Sequence, residues 1–329
     1  MIKCALLSVI PRTARVSVSR ICAVFPNEGS HYVGMGKDFY AKSMTVRDYF
    51  DKAEKLLGLK LAKVCFLGPK EEQDKPLNAP VITFVNDVAF FDPLVKSRRK
   101  PECLTGVGIG EVAALVCAES IPYPNALNYV TKRAALIEAF AQKHGGAALS
   151  LIGITLDKLQ PLLTREEGEL IITQTLAPDT FIVYGPTEAI KSLESETQGV
   201  KDLRTNPQLP RGPLFSPKAA ELEPAFNNLL NECMGELPLK HPKIAFHRCS
   251  DGEYVATVDM VRDVLIKQYS SPVDWVKTVA AINHRGFRVW TEVGPGKVYT
   301  SMVKKCDKNN TVTNVENMAT LAAAVKATG

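Results

Sequence analysis

The sequence predicts an α/β fold, a mostly parallel core sheet carrying a small α+β insert. Two observations lead there. Short apolar runs alternate with amphipathic helical stretches through most of the chain. Between about residues 145 and 205 the rhythm tightens to β-α-β-β-α-β, the split order of ferredoxin-like units. The chain has 329 residues, of which 46% are hydrophobic and 23% charged, enough for a sizeable core. No apolar run approaches the roughly 18 residues a membrane-spanning helix needs, so no membrane insertion is expected.

The elements follow in order. Ile21 to Phe25 is a short apolar run entering Pro-Asn-Glu-Gly-Ser, a buried strand running into a turn. Residues 44 to 66 carry apolar residues at helical spacing, including Tyr49, Phe50, Ala53, Leu56 and Leu57, and are expected as one helix. Residues 80 to 95 read as a second helix. Cys103-Leu104-Thr105 is a strand leading into GVGIGE, which opens an apolar helix over Val112 to Ala118. Residues 125 to 142 make another. In the insert, strands are expected at Ala147 to Ile154, Glu169 to Gln174, Phe181 to Tyr184 and 200 to 204, with helices at 155 to 164 and 186 to 197. Helix 218 to 234, strand 243 to 247, helix 258 to 269 and strand 288 to 293 return to the α/β rhythm. The expected division is 1–20 as an address segment or basic arm, 21–143 with 206–329 as a large subdomain, and 144–205 as the small one.

Lys plus Arg is 40 and Asp plus Glu is 35, a net charge of +5. Lys3, Arg12, Arg15 and Arg20 supply nearly all of that excess, and no acid precedes Glu28. An Arg-rich, hydroxylated, acid-free start is the pattern of a mitochondrial transit peptide and points to the matrix. The remaining body has no global bias toward nucleic acid. Its densest basic run is Lys96, Arg98, Arg99 and Lys100 around Ser97, read as a solvated face with an RNA phosphate contact as the sharper alternative. The eight cysteines follow no disulfide or zinc spacing. His247 and Cys249 alternate on one strand with His241 nearby, but no fourth ligand is visible, so no metal is expected.

GVGIGE sits where a nucleophile elbow would place its serine, between a strand and a helix. Gly106, Gly108 and Gly110 give G-x-G-x-G rather than the dinucleotide fingerprint, and no P-loop lysine follows. No cofactor is expected.

At this point the chain resembles the malonyl-CoA:acyl-carrier-protein transacylase family from about Cys22 to Val325. AVFPNEGSHYVGMG is similar to the family's FPGQGSQ...GMG, and GVGIGEVAALVCAESI to GHSLGEYSALVCAGVI. IKQYSSPVDW, TEVGPGKVYTSMVKK and GPLFSPKAAELEPAF resemble three further segments, in the family's order. The resemblance implies an α/β-hydrolase-like core with a ferredoxin-like subdomain. It also implies Ser-His covalent catalysis, with an arginine for the malonyl carboxylate. Carried over position by position, the nucleophile falls on Gly108 and its preceding histidine on Val107. The catalytic histidine falls on Phe215. The oxyanion-loop glutamine falls on Glu28, and a further glutamine on Ala79. The arginine is retained at Arg133.

Glycine cannot be acylated and phenylalanine cannot carry a proton. Loss of a nucleophile-base pair costs roughly a millionfold in turnover. The expectation is therefore a catalytically inactive family member, a pseudoenzyme. It would act as a structural or assembly factor within a large mitochondrial complex, the ribosome or its biogenesis foremost. The alternatives are a non-catalytic binder of acyl carrier protein or acyl-CoA, or a residual acyltransferase. Arg133 is expected to be paired internally, with Glu28 as its salt-bridge partner.

Overall fold

The computed structural model describes residues 20–97, 100–164, 170–208, 211–235 and 237–327. Strand β1 (Ile21–Phe25) leads to α1 (Lys37–Lys42), α2 (Met44–Leu57), α3 (Leu61–Leu67), α4 (Lys70–Asp74) and the long α5 (Asn78–Lys96). β2 (Cys103–Gly106) turns directly into α6 (Ile109–Cys117), and α7 (Tyr123–His144) follows. Then come β3 (Ala147–Ile152), α8 (Leu156–Leu163), β4 (Ile171–Ala177), β5 (Thr180–Gly185), α9 (Thr187–Thr197) and β6 (Arg204–Pro207). A 3-10 turn (Pro217–Leu222) runs into α10 (Glu223–Met234). The rest is β7 (Ala245–Phe246), α11 (Val258–Lys267), β8 (Val273–Asp274), α12 (Trp275–His284), β9 (Val289–Val293), α13 (Val298–Cys306), β10 (Thr311–Val315) and α14 (Met318–Ala327).

Two sheets organise these elements. The first is parallel throughout, in the order β10-β9-β1-β2-β7. β1 lies at its centre and is buried on both faces. Ala23 and Phe25 face the apolar layer of α2, α5 and α6, while Cys22 and Val24 face Trp275, Trp290 and Tyr299. A central parallel strand covered by helices on both sides reads as a continuous apolar run, which is why ICAVF needs no alternation. The second sheet runs β6-β3-β5-β4 with every pair antiparallel, the split order expected of the insert. β8 extends it, pairing parallel to β4 through Val273 and Asp274.

Several element boundaries differ from expectation; the strand expected at Glu169 to Gln174 lies at Ile171–Ala177, and the helix expected over 218 to 234 starts as a 3-10 turn. The helix over 44 to 66 is broken, because Gly58 takes a left-handed φ of 67° and caps α2 before α3 starts at Leu61. The last strand of the insert lies at Arg204–Pro207 rather than 200 to 204. It is placed by its ladder to Leu149–Ile152, and Val200 stays exposed in the preceding turn.

Arg20 is anchored to the body, 3.2 Å from Glu102 and 4.0 Å over the Phe287 ring. The rest of the expected address segment lies outside the described residues, as do Arg98 and Arg99. Lys96 is held by Asp92 at 2.8 Å and by the Thr45 hydroxyl, and Lys100 is exposed.

Candidate active site

The C-terminal ends of β1 and β2 lie side by side, the edge where ligands bind in sheets of this type. β2 turns sharply into α6 at Gly108, whose φ of 54° and ψ of −115° suit a residue without a Cβ. A Cβ there would fall 2.4 Å from Asn27 Oδ1. That oxygen is not idle, since it accepts the Ile109 N–H at 3.2 Å. The N–H of the residue after an elbow is the donor that holds an oxyanion in elbow enzymes, and here Asn27 takes it.

Phe215 and Val107 lie in one buried apolar cluster beside the elbow. Phe215 holds a φ of 59°, a strained conformation for an aromatic residue, and its ring stands edge-on to Tyr269 at 4.9 Å. Ser216 is buried and turned inward, its hydroxyl donating to the Pro213 carbonyl at 2.6 Å. Ala79 is buried in the first turn of α5, where its carbonyl accepts from the Thr83 hydroxyl.

Arg133 is 1% exposed. Its Nη1 donates to Gln268 Oε1 at 2.8 Å, and its guanidinium lies 5.5 Å from the Tyr129 ring and 5.2 Å from the Tyr269 ring. Cation–π contact suits a buried arginine. The expected Glu28–Arg133 salt bridge is not formed. Glu28 instead pairs loosely with Arg211, Oε1 to Nη1 3.9 Å, because Arg211 enters the cleft from the strand-to-helix connection while Gln268 has already claimed Arg133.

The loop that carries Asn27 and Glu28 is pinned from below. The Gly29 N–H donates to His31 Nδ1 at 3.3 Å, which leaves the proton on Nε2, donating to Asp74 at 2.8 Å. Burial holds His31 below its ordinary pKa, so the ring is neutral. His31→Leu removes both bonds and strands the Gly29 donor. It is expected to lower stability by about 2 kcal/mol in a urea titration.

Between this loop and the insert sheet lie two adjoining cavities of about 110 and 310 Å³, both bordered by Asn27, Glu28 and Gly29. Their far wall is mainly uncharged polar: Ser150, Thr173, Gln174, Asn206 and Gln208. Sequence reasoning missed Asn27, Gln268 and Arg211. All three act across more than 80 residues of chain, and only Asn27 and Gln268 fall in segments that carried the resemblance.

A parallel sheet with an elbow at its edge and a ferredoxin-like unit over it defines the acyltransferase class of α/β fold. The acyl transferase domain family matches residues 23–326, and the chain belongs to that family. It is similar to the malonyl CoA-acyl carrier protein transacylase of Bacillus subtilis, 26% identical over 314 residues, covering 94% of this chain and 97% of that one. It is 27% identical over 307 residues to the mitochondrial malonyl-CoA-acyl carrier protein transacylase of Mus musculus, covering 87% of this chain and 79% of that one. A solved malonyl-transacylase in complex with a type II polyketide synthase acyl-carrier protein superposes with a TM-score of 0.83. It is 25% identical and covers 94% of this chain and 99% of that one.

These relatives correct two expectations. A structural role in the mitochondrial ribosome or its assembly does not stand, because the relatives are named for acyl transfer and none for a ribosome. The expectation of a pseudoenzyme falls with it, since every one of them is named as a transacylase. The physical reason the inference failed is that it weighed two positions, Gly108 and Phe215, against a match that spans nearly the whole chain.

Proposed function

We propose that the protein handles malonyl-type acyl groups carried as thioesters, passing them between coenzyme A and an acyl carrier protein. The observation that carries this reading is the family match over residues 23–326. The cleft supports it. Hydroxyl and carboxamide side chains on the insert wall suit the alternating amides of a pantetheine arm. A carrier protein as partner is supported by the structural neighbour that holds one. A mitochondrial site of action is supported by the acid-free N-terminal segment and by the mitochondrial relative from mouse.

Gly108 offers no side-chain atom to acylate, so a covalent acyl intermediate, where one forms, sits on another residue. The test takes the full chain with malonyl-CoA and a holo acyl carrier protein. Mass spectrometry reads malonyl transfer to the carrier, and thermal melting reads binding. A ligand at about 100 times its Kd adds roughly 2.7 kcal/mol to the folded state, an upward shift in Tm. Binding with malonyl-carrier formation supports the reading. The absence of both, with either thioester carrier, overturns it.

A further inference from the structure

The parallel sheet has two rims, and the cleft uses only one of them. At the other, where the strands begin, we propose that the protein carries a second binding surface, a row of cations that takes the phosphate backbone of a nucleic acid. This rim is the far end of the sheet from Asn27, Glu28 and Gly108, so the proposal does not rest on the thioester reading.

The topology assembles the row from distant parts of the chain. All five strands of the first sheet run parallel in the order β10-β9-β1-β2-β7, so the residues that lead into them share one edge. Among the described residues within four positions of a strand start, the cations are Lys308 before β10, Arg285 and Arg288 before β9, Arg20 before β1, Lys100 before β2 and Lys243 before β7. All six are exposed. The acids in the same stretches are Glu102 and Asp307, so the rim has four more cations than acids. Removing Lys3, Arg12, Arg15 and Arg20 from the chain's 40 basic residues leaves 36 against 35 acids. The excess therefore belongs to this rim and not to the body at large.

Adjacent strands stand about 4.8 Å apart, so the row extends about 19 Å. Its members adjoin, since the Arg20 guanidinium donates to the Arg285 carbonyl at 2.9 Å. Three cations are engaged in exposed ion pairs, Arg20 with Glu102 at 3.2 Å, Arg288 with Asp307, and Lys243 with Glu119 at 2.5 Å. Such pairs are weak and exchange readily with an incoming anion. Lys100, Arg285 and Lys308 have no ion-pair partner among the described residues.

The surroundings say what kind of polyanion fits. No exposed apolar side chain stands in these stretches to enter a bilayer, which favours a linear chain of phosphates over a membrane surface. The two rings at the rim are already covered. Phe287 is buried beneath Arg20 at 4.0 Å, and Tyr254 lies between Arg285 at 4.7 Å and His247 at 5.6 Å. Neither offers a free face to stack on a base, so contact is with the backbone and carries no base preference.

The test measures binding of the full chain to a labelled poly(U) 20-mer by fluorescence anisotropy. Three unpaired cations on a single strand predict a log–log salt slope of about −2, a loss of about sixteenfold between 50 and 200 mM salt. K100E/R285E/K308E should weaken binding at 50 mM salt by at least about tenfold. K52E/K55E/K63E makes the same change of net charge at exposed lysines of α2 and α3, and should retain most of the affinity. Should the rim reversal disturb the melting curve, K100Q/R285Q/K308Q carries the same comparison with half the charge change. Poly(A) should bind as poly(U) does. The proposal is overturned if poly(U) fails to bind at 50 mM salt, if binding is indifferent to salt, or if one polymer is strongly preferred. Equal losses in the two triple variants would assign the effect to net charge and overturn it too. So would tighter binding to phosphatidylserine vesicles than to poly(U), which would make the rim a membrane contact.

Discussion

Gly110→Ala is expected to destabilise the protein by about 3 kcal/mol or more, and no second-site change should recover it. Gly110 lies in the first turn of α6, directly over the end of β1. A Cβ there would fall 2.1 Å from the Phe25 carbonyl oxygen and 2.7 Å from that of Pro26, both backbone atoms. Relief requires the helix to lift off the central strand of the parallel sheet, and with it the α5–α6 packing. Gly108→Ser is the instructive contrast. Its positive φ costs about 1 to 3 kcal/mol for a residue with a Cβ, and the clash adds to that. The atom in the way is Asn27 Oδ1, the end of a side chain. Asn27→Gly should therefore return a large part of the Gly108→Ser penalty and none of the Gly110→Ala penalty. Urea unfolding of the three singles and two doubles reads this as a pair of double-mutant cycles. Equal rescue of both glycine variants would show that the elbow is not held by Asn27.

The same comparison shows what the sequence made legible. Strand β1 and the elbow at GVGIGE were readable because each is specified locally, by an apolar run or by glycines between a strand and a helix. The split β-α-β-β-α-β order of the insert was readable because its elements are short and closely spaced, while the sheet order, with β3 beside β5 and β6 rather than β4, is set by the tertiary fold. The break at Gly58 was hidden by an apolar pattern that continues in phase from α2 into α3. The site was less readable. Glu28 was matched with the nearest arginine in the family's pocket, yet its partner is Arg211, on a segment whose course only the tertiary fold decides. Asn27 looked like a turn residue before Glu28; its second role depends on the distance to Ile109 N, 82 residues on. The expectation of inactivity drawn from Gly108 and Phe215 runs against the transacylase names of the relatives.

Buried carboxyls supply the other large expected effect, a loss of stability as pH rises. Glu111 in α6 and Glu292 in β9 are each pushed up to about 7 by burial. Backbone N–H and hydroxyl donors only partly offset this: Glu111 accepts from Cys249 N at 2.9 Å, and Glu292 accepts from Thr300 N and Oγ1, each at 2.9 Å. Asp87 in α5 is raised further, with both oxygens buried and unpartnered and Glu292 and Glu28 adding like charge. In the unfolded chain these groups release their protons near pH 4. Between about pH 4.5 and 7 the folded state therefore holds more protons, and stability falls as pH rises, on the order of 3 kcal/mol for each glutamate by pH 7. His31 and His247 work the other way, because burial lowers their pKa values and stability is lost as pH falls below their unfolded value near 6.5. The net curve mixes both, so the decisive measurement is a difference. Glu292→Gln keeps an oxygen for Thr300 and presents an uncharged N–H2 in place of the unpartnered Oε1. It should gain stability over wild type as pH rises from 5 to 7.5 and show little difference at pH 4.5, where Glu292 is protonated in the folded state and about half protonated in the unfolded chain. Asp87→Asn should shift in the same direction. A Glu292→Gln minus wild-type difference that stays flat from pH 4.5 to 7.5 would mean that Glu292 titrates in the folded protein as it does in water, and that the sheet edge beneath the cleft is hydrated.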